Sequence, residues 1–202
     1  MKTIKSIFLI TILSLIATSC TKNDDEQEPV VAKQALNIYA PVTTDYTVNP
    51  PTEAGEFKKF NFELGTEVND DNWDIAFRGT TILVNGGAKV GLSDEPTRTG
   101  IGALSLQTGT FSEILMAPDD SEFKQDKSGE LALPKGTWYS YNPQNHQISP
   151  VAGKILVIIT RNGHYVKMEI LSYYKDQDTS KDSRYYSFNY VYNPNLGDKN
   201  LE

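Results

Sequence analysis

The chain offers few side chains for chemistry: two histidines (His146 and His164), one cysteine (Cys20) and three methionines. A serine nucleophile needs a histidine base oriented by an acid, and no Gly-x-Ser-x-Gly elbow is present. Zinc needs three or four ligands drawn from Cys, His and carboxylate. Two well-separated histidines and an N-terminal cysteine do not supply them. No glycine-rich phosphate loop follows a strand and opens a helix. The acid pairs Asp24-Asp25, Asp70-Asp71 and Asp119-Asp120 lie in turn-like polar runs, where carboxylates are usually solvated rather than paired as general acid and base. Asp176-Gln177-Asp178-Thr179-Ser180-Lys181-Asp182 alternates oxygen side chains as a calcium loop does. It lacks the glycine at the sixth position and a glutamate at the twelfth, so a solvated loop is expected. No catalytic site is recognisable, and a protein without enzymatic activity is the expectation.

Cys20 has a context of its own. Lys2 and Lys5 open the chain, an apolar run through Ile7-Phe8-Leu9-Ile10 follows, and Ala17-Thr18-Ser19 precede the cysteine. A basic start, a short apolar stretch and small residues before a cut site read as a secretory signal over residues 1–19. The cysteine after Ala17-Thr18-Ser19 resembles a bacterial lipoprotein lipobox, which implies an acylated Cys20 as the first mature residue. Thr21-Lys22-Asn23-Asp24-Asp25-Glu26-Gln27-Glu28 is polar and acidic, without apolar anchors. Such a segment cannot offset its ordering entropy by burial, so residues 20–35 are expected to form a lipidated tether. The acidic run also resembles the export signal of surface lipoproteins in Bacteroidetes, which implies an outer-membrane anchor at the cell surface. A periplasm-facing anchor is the alternative. No second long apolar run exists to span a membrane.

Composition sets further bounds. The net charge is −7; loss of Lys2 and Lys5 leaves 17 basic against 26 acidic residues, or −9. Nucleic acid needs clustered Lys and Arg, and no such cluster is present, so it is excluded as a partner. With no cysteine left for a disulfide, the mature domain depends on a packed core. Roughly 170 residues suffice for one.

Eleven Tyr and eight Phe, with many Thr, Val and Ile, favour strands. Phe60-Asn61-Phe62-Glu63-Leu64 alternates with period two. Trp73-Asp74-Ile75-Ala76-Phe77-Arg78 predicts a strand with Trp73, Ile75 and Phe77 on one face. Thr81-Ile82-Leu83-Val84 follows and ends at Asn85-Gly86-Gly87, a turn with mobile backbone. Residues 88–102 read as a long loop. Lys154-Ile155-Leu156-Val157-Ile158-Ile159-Thr160, the Asn162-Gly163 turn and the return from His164 to Leu171 form the clearest hairpin. His164, Val166, Met168 and Ile170 share one face of the return strand. A last strand runs from Tyr185 to Tyr192. Thr110-Phe111-Ser112-Glu113 fits a capping box for a short helix ending at Pro118, or a strand.

Several segments, in order, resemble the HmuY-like haem-binding lipoproteins of Bacteroidetes. These are Asn72-Trp73-Asp74-Ile75-Ala76-Phe77-Arg78 with Val84-Asn85-Gly86-Gly87, Gly136-Thr137-Trp138-Tyr139-Ser140-Tyr141 with Ile148-Ser149-Pro150, Asn162-Gly163-His164-Tyr165-Val166-Lys167-Met168-Glu169-Ile170 with Ser172-Tyr173-Tyr174, and Arg184-Tyr185-Tyr186 through Tyr190-Val191-Tyr192-Asn193-Pro194. The resemblance implies a single all-β, hand-shaped domain over residues 36–202. It also implies a haemophore-like role in iron acquisition: binding haem, exchanging it with host haemoproteins and passing it to an outer-membrane TonB-dependent receptor. The best-known members hold haem iron with two histidines, relatives use methionine, and this chain lacks an easy histidine pair. The same scaffold binding another ligand, such as a glycan, a peptide or a receptor partner, is the alternative function.

Axial haem ligands are His or Met. Met168 and His164 sit on a strand pattern that assigns them to the sheet. His146, in Asn142-Pro143-Gln144-Asn145-His146-Gln147, and Met116, in Leu115-Met116-Ala117-Pro118, lie on irregular segments where binding residues concentrate. They also fall in the two regions from which the family offers its ligands. Met116 and His146 are therefore the candidate axial haem ligands, with Tyr139, Tyr141 and Phe123 as candidate pocket walls.

Overall fold

A computed structural model describes residues 27–202. The signal over residues 1–19, Cys20 with its lipidation, and the start of the tether lie outside the described residues.

The fold is all-β, built on two antiparallel sheets. The larger takes the order β1-β13-β12-β11-β8. Its members are β1 (Val31–Tyr39), β8 (Ala103–Thr108), β11 (Lys154–Ile159), β12 (Tyr165–Tyr174) and β13 (Ser183–Tyr192). The smaller, in the order β5-β4-β6-β7, contains β4 (Lys58–Asn61), β5 (Thr66–Val68), β6 (Ile75–Arg78) and β7 (Thr81–Val84). Two separate ribbons pair β2 (Thr43–Asp45) with β3 (Thr52–Ala54), and β9 (Tyr139–Asn142) with β10 (Gln147–Pro150). Helix is confined, among the described residues, to single 3₁₀ turns at Asp120–Glu122 and Lys175–Gln177.

Alternation explains the layers, because successive side chains of a strand point to opposite faces. On β12, Val166, Met168 and Ile170 turn inward with Leu156 and Ile158 of β11 and Phe188, Tyr190 and Tyr192 of β13. They meet Phe60, Phe62, Ile75, Phe77, Ile82 and Val84 beside the smaller sheet. Phe60 packs edge-on to Phe188 at 5.2 Å, and Phe62 lies 5.2 Å from Tyr190. Each buried ring contributes about 2–3 kcal/mol, and edge contacts add to that. The outer face of the larger sheet carries Val157, Tyr165 and Lys167. It is covered by the strap formed by residues 109–123 and by the C-terminal segment carrying Leu201, which is wholly buried.

The structure corrects several expectations. The tether assigned to residues 20–35 gives way to β1 at Val31, where Val31 pairs with Tyr192 and Ala35 with Phe188. Its alternation is hidden by a bulge between Ala35 and Ile38, where Asn37 takes a φ of 58°. The strand expected over Phe60–Leu64 stops at Asn61, whose Oδ1 accepts the Leu64 N–H and closes a turn. Trp73 does not share a face with Ile75 and Phe77. It precedes β6 and packs with Phe57, Ala76 and Leu83 in a second cluster on the far side of the smaller sheet. Thr110-Phe111-Ser112-Glu113 is neither helix nor strand. Half of the capping box forms, the Thr110 N–H donating to Glu113 Oε2 at 2.8 Å, but the chain continues as a turn. The β11–β12 hairpin stands as read, with the Thr160 N–H donating to the His164 carbonyl at 2.8 Å and Gly163 at φ 93°. The acidic loop near residue 176 is held by its own bonds: Asp176 by Asn37 and Lys181, and Asp178 by Ser180.

Candidate functional site

The β9–β10 ribbon projects His146 at its tip. Asn142 Oδ1 accepts the Gln144 N–H, and Asn145 Oδ1 accepts the Gln147 N–H. These two turns hold His146 at φ 56°, an uncommon conformation for a side-chain-bearing residue. Here the imidazole meets Tyr141, with Oη 2.6 Å from Nδ1. Both residues are exposed. At the base of the ribbon Trp138 is buried, donating through Nε1 to the Thr80 carbonyl, and the ring of half-buried Tyr139 stacks edge-on to it at 4.8 Å. The Ile148 N–H donates to Tyr174 Oη at 2.9 Å, pinning β10 to the far end of β12.

Met116 lies elsewhere. It bridges to Asn200, while the Ala117 N–H donates to the Lys199 carbonyl and the Leu201 N–H to the Leu115 carbonyl. Ala117 and Leu201 pack on Val157 and Tyr165, the outer face at the opposite end of β12. Tyr139 and Ile148 pack against the inner cluster. Ten residues of strand separate the two anchor points by about 30 Å along β12, and the supporting elements occupy opposite faces of the sheet. The structure thus joins His146 with Tyr141 and does not bring Met116 to them. Phe123 sits with Tyr165 at 6.0 Å on the Met116 side. Met168 is wholly buried in the inner core, as its strand position implied. The His164 ring lies tilted against Tyr192 at 5.5 Å and leaves its buried Nδ1 without a partner.

Two cavities bear on binding. The first, about 820 Å³, is lined by Ile101, Ala103, Phe123 and Ile159 together with Lys124, Lys127, Asp120, Asp126 and Glu130. The second, about 410 Å³, lies beside the base of the ribbon, between Leu104 and Leu106 of β8 and Leu133, Pro134 and Thr137. Neither contains a histidine or a methionine. Haem needs apolar walls, a cation for its propionates and an axial donor. The second cavity offers the walls and Lys124, and the ribbon offers His146 as a single donor. His146 lines neither cavity, and His146 and Met116 do not converge on one site. Among the described residues no cluster of three His, Cys, Asp or Glu side chains could hold a bare metal ion.

The walls of the first cavity rest on a buried polar network that composition did not reveal. The Glu95 carboxylate accepts the Val90, Gly91 and Leu92 N–H groups and Arg98 Nη1. Arg98 Nη2 reaches Asp126, whose other oxygen accepts the Ala132 N–H. Burial works against the Glu95 anion, but Arg98 and the three amides hold its carboxyl below the usual range. At Asp126 burial wins and pushes the carboxyl up, against Ala132, Arg98 and Val84. Residues 88–102 therefore form an irregular but tightly tied segment. Gly86 and Gly87 do not form an open turn but pack directly on other backbone. A Cβ at Gly86 would lie 2.0 Å from the Gly102 carbonyl oxygen, so the glycines permit close backbone approach.

Residues 53–190 match a family model described as HmuY protein. No curated protein matches the sequence. Among solved structures, an apo HmuY analog from Tannerella forsythia superposes with a TM-score of 0.50 at 15% identity, covering 85% of this chain and 100% of that one. A candidate lipoprotein from Bacteroides fragilis gives 0.46 at 13% identity, over 69% of this chain and 85% of its own. A candidate HmuY-like haem-binding protein from Bacteroides vulgatus gives 0.45 at 14% identity, over 69% and 86%.

Proposed function

Since the chain belongs to the HmuY family, we propose that it is a haem-binding surface lipoprotein, a carrier without catalytic turnover. In this reading it takes haem from host haemoproteins and passes it to an outer-membrane TonB-dependent receptor. The observation that carries the reading is the exposed Tyr141–His146 pair at the ribbon tip. Metal-bound imidazoles characteristically spend their second nitrogen on a hydrogen-bond partner that fixes the ring. With its proton on Nδ1, His146 donates to Tyr141 Oη and keeps Nε2 as a lone-pair donor. Bound haem would supply an iron with open axial positions. His146 would provide the nitrogen, Tyr139 and the Leu104–Leu106–Leu133 cavity the apolar contact, and Lys124 a propionate partner.

The position of Met116 on the other face of the sheet favours one protein ligand over a His–Met pair. Acylated Cys20 and the acidic tether would anchor the domain at the outer-membrane surface. No helix among the described residues is long and apolar enough to cross a membrane. A second reading, a surface lipoprotein of this fold with another ligand, is favoured by the larger cavity, whose lining mixes apolar with charged side chains and includes no histidine or methionine.

Haemin titrated into the detergent-solubilised full chain, ferric and dithionite-reduced, tests the proposal. A saturable visible shift, lost in His146→Ala and kept in Met116→Ala, is the expected result. Loss in Met116→Ala would mean that the strap leaves the outer sheet face to reach the iron. No shift of the parent in either redox state sinks the haem reading and leaves the second.

A further inference from the structure

The five strands of the larger sheet share one end. Val31 pairs with Tyr192, Tyr192 with Val166, and Ile159 with both Tyr165 and Ala103. The approach to β8, the turn between β11 and β12 and the chain that follows β13 all lie there. Two large apolar side chains stand out from these segments into solvent, Leu196 at 71% exposure and Ile101 at 60%. They are neighbours. A Cβ placed on Gly163 would lie 3.3 Å from Cδ1 of each, so the two methyls are separated by at most twice that distance. Met116, also exposed, is held near the same end by its bridge to Asn200. Exposed apolar side chains scattered singly are ordinary, whereas a group of them on one end of a domain marks an interaction surface.

The chain also enters the domain at this end. The Glu28 N–H donates to Asn195 Oδ1 at 2.8 Å, and Asn195 Nδ2 donates to the Glu28 carbonyl at 2.7 Å. Asn195 immediately precedes Leu196 and is itself held by Oδ1 of the wholly buried Asn193. The start of the described chain is thus pinned beside the apolar group. Cys20 lies seven residues before Gln27, and seven residues reach about 25 Å at full extension. The His146 tip stands at the other end of β12, about 30 Å away, where β10 is pinned to Tyr174.

Building on the reading of Cys20 as an acylated anchor, we propose that this end of the domain is a membrane-docking face. Leu196, Ile101 and Met116 enter the interfacial layer of the bilayer that holds the anchor, where binding grows with the apolar area buried. The short leash keeps the group beside the lipid, so a contact too weak to hold a free domain becomes intramolecular. Docking turns the His146 tip away from the membrane. The contact is apolar rather than electrostatic. Arg161, at the β11–β12 turn, donates to Asn72 at 2.6 Å, and Lys199 pairs with Asp120 at 2.8 Å, so neither is left to hold a phosphate headgroup. Added salt, which screens exposed charges, should leave the docking unchanged.

Cys20 is the only cysteine, and acylation consumes its thiol, so spin labels can be placed one at a time on the full lipidated chain. Leu196→Cys and Ile101→Cys report on the face, and Gln144→Cys, on the ribbon turn, is the solvent reference. Each chain is reconstituted into phosphatidylethanolamine–phosphatidylglycerol vesicles. The labels replacing Leu196 and Ile101 are expected to collide with molecular oxygen more often, and with a water-soluble nickel chelate less often, than the label replacing Gln144, at low and high salt alike. A chain that floats with the vesicles while all three labels stay equally open to nickel overturns the docking face and leaves the anchor intact. So does an oxygen gain that vanishes at high salt. Spin–spin broadening between labels replacing Leu196, without an oxygen gain, assigns the face to a second copy of the chain instead. A Cys20 thiol that still reacts in the parent, with no flotation, overturns the anchor reading and the docking face with it.

Discussion

Arg98 and Asp126 meet at 2.8 Å with 4% and 0% of their side chains exposed. The contact ties residues 88–102, which have no strand of their own, to the segment that walls the larger cavity. Arg98 also holds Glu95 at 2.8 Å, so one guanidinium serves two buried carboxylates. Removing one member of a buried pair strands the other's charge, at a cost of about 3–5 kcal/mol. Arg98→Ala should lower stability by that order in urea unfolding. Amide exchange should accelerate first in residues 88–102. A loss below 1 kcal/mol would mean that the backbone amides around Glu95 hold the segment without the arginine.

The same network sets a pH response of mixed sign. Glu95, held below its usual range, contributes stability that is present above the ordinary glutamate value of about 4.3. That stability is lost as pH falls through its lower native value. Asp74 and Asp126 behave oppositely. Burial raises both, so each binds its proton more readily in the native state. Their contribution is greatest below about 3.9 and is lost as pH rises through their raised native values. Carboxyl NMR titration should place Asp74 and Asp126 above the ordinary aspartate range and Glu95 below the glutamate one. Glu95→Gln should flatten the acid limb of the stability curve. An unchanged limb in Glu95→Gln would assign acid sensitivity to other groups.

The β11–β12 hairpin was legible because its signals are local: a β-branched run, Asn162-Gly163, and alternation through Val166, Met168 and Ile170. All three of these side chains reach the core. The β9–β10 ribbon was not, since Tyr-Ser-Tyr-Asn and Gln-Ile-Ser-Pro carry almost no branched aliphatics and none of their side chains is fully buried. Trp73 departs from the face that alternation implies because it precedes β6, which starts at Ile75. His146 lies on a turn, as its Asn-Pro-Gln-Asn context implies, but nothing in that context marks Tyr141 as its hydrogen-bond partner. A one-dimensional pattern gives no account of which face of a distant sheet a strap will cover, and that is what separates Met116 from His146. Glu95, Arg98 and Asp126 span three polar stretches whose convergence has no sequence period.

Gly86→Ala should be far more damaging than a surface substitution. The added Cβ would sit 2.0 Å from the Gly102 oxygen and 2.6 Å from its nitrogen, both backbone atoms that cannot rotate away. The Gly102 N–H also donates to the Asn85 carbonyl at 2.9 Å, so displacement breaks that bond. Expression as insoluble material, or a loss above about 3 kcal/mol in unfolding, is expected for a clash that forces backbone movement. A soluble variant of parental stability would show that residues 85–87 and 100–102 separate freely.

The strap over residues 109–123 is held by few apolar anchors and should be the first part of the domain to open. Leu201 is wholly buried against Ala117, Val157 and Tyr165, and the Leu201 N–H donates to the Leu115 carbonyl. Lys167, 4% exposed, adds a bond from Nζ to the Ile114 carbonyl at 2.8 Å and lies 4.8 Å from the Phe111 ring. Truncating a buried leucine costs about 2–5 kcal/mol when the gap cannot collapse. At the strap, part of that loss should appear as local opening rather than global unfolding. Leu201→Ala should therefore speed proteolytic cleavage within residues 109–120 more than it lowers the urea midpoint. It should leave cleavage at the 142–147 tip unchanged, because that ribbon is anchored on the other face. Equal acceleration at both places would show that strap and ribbon open together, and would reopen the route by which Met116 and His146 could meet.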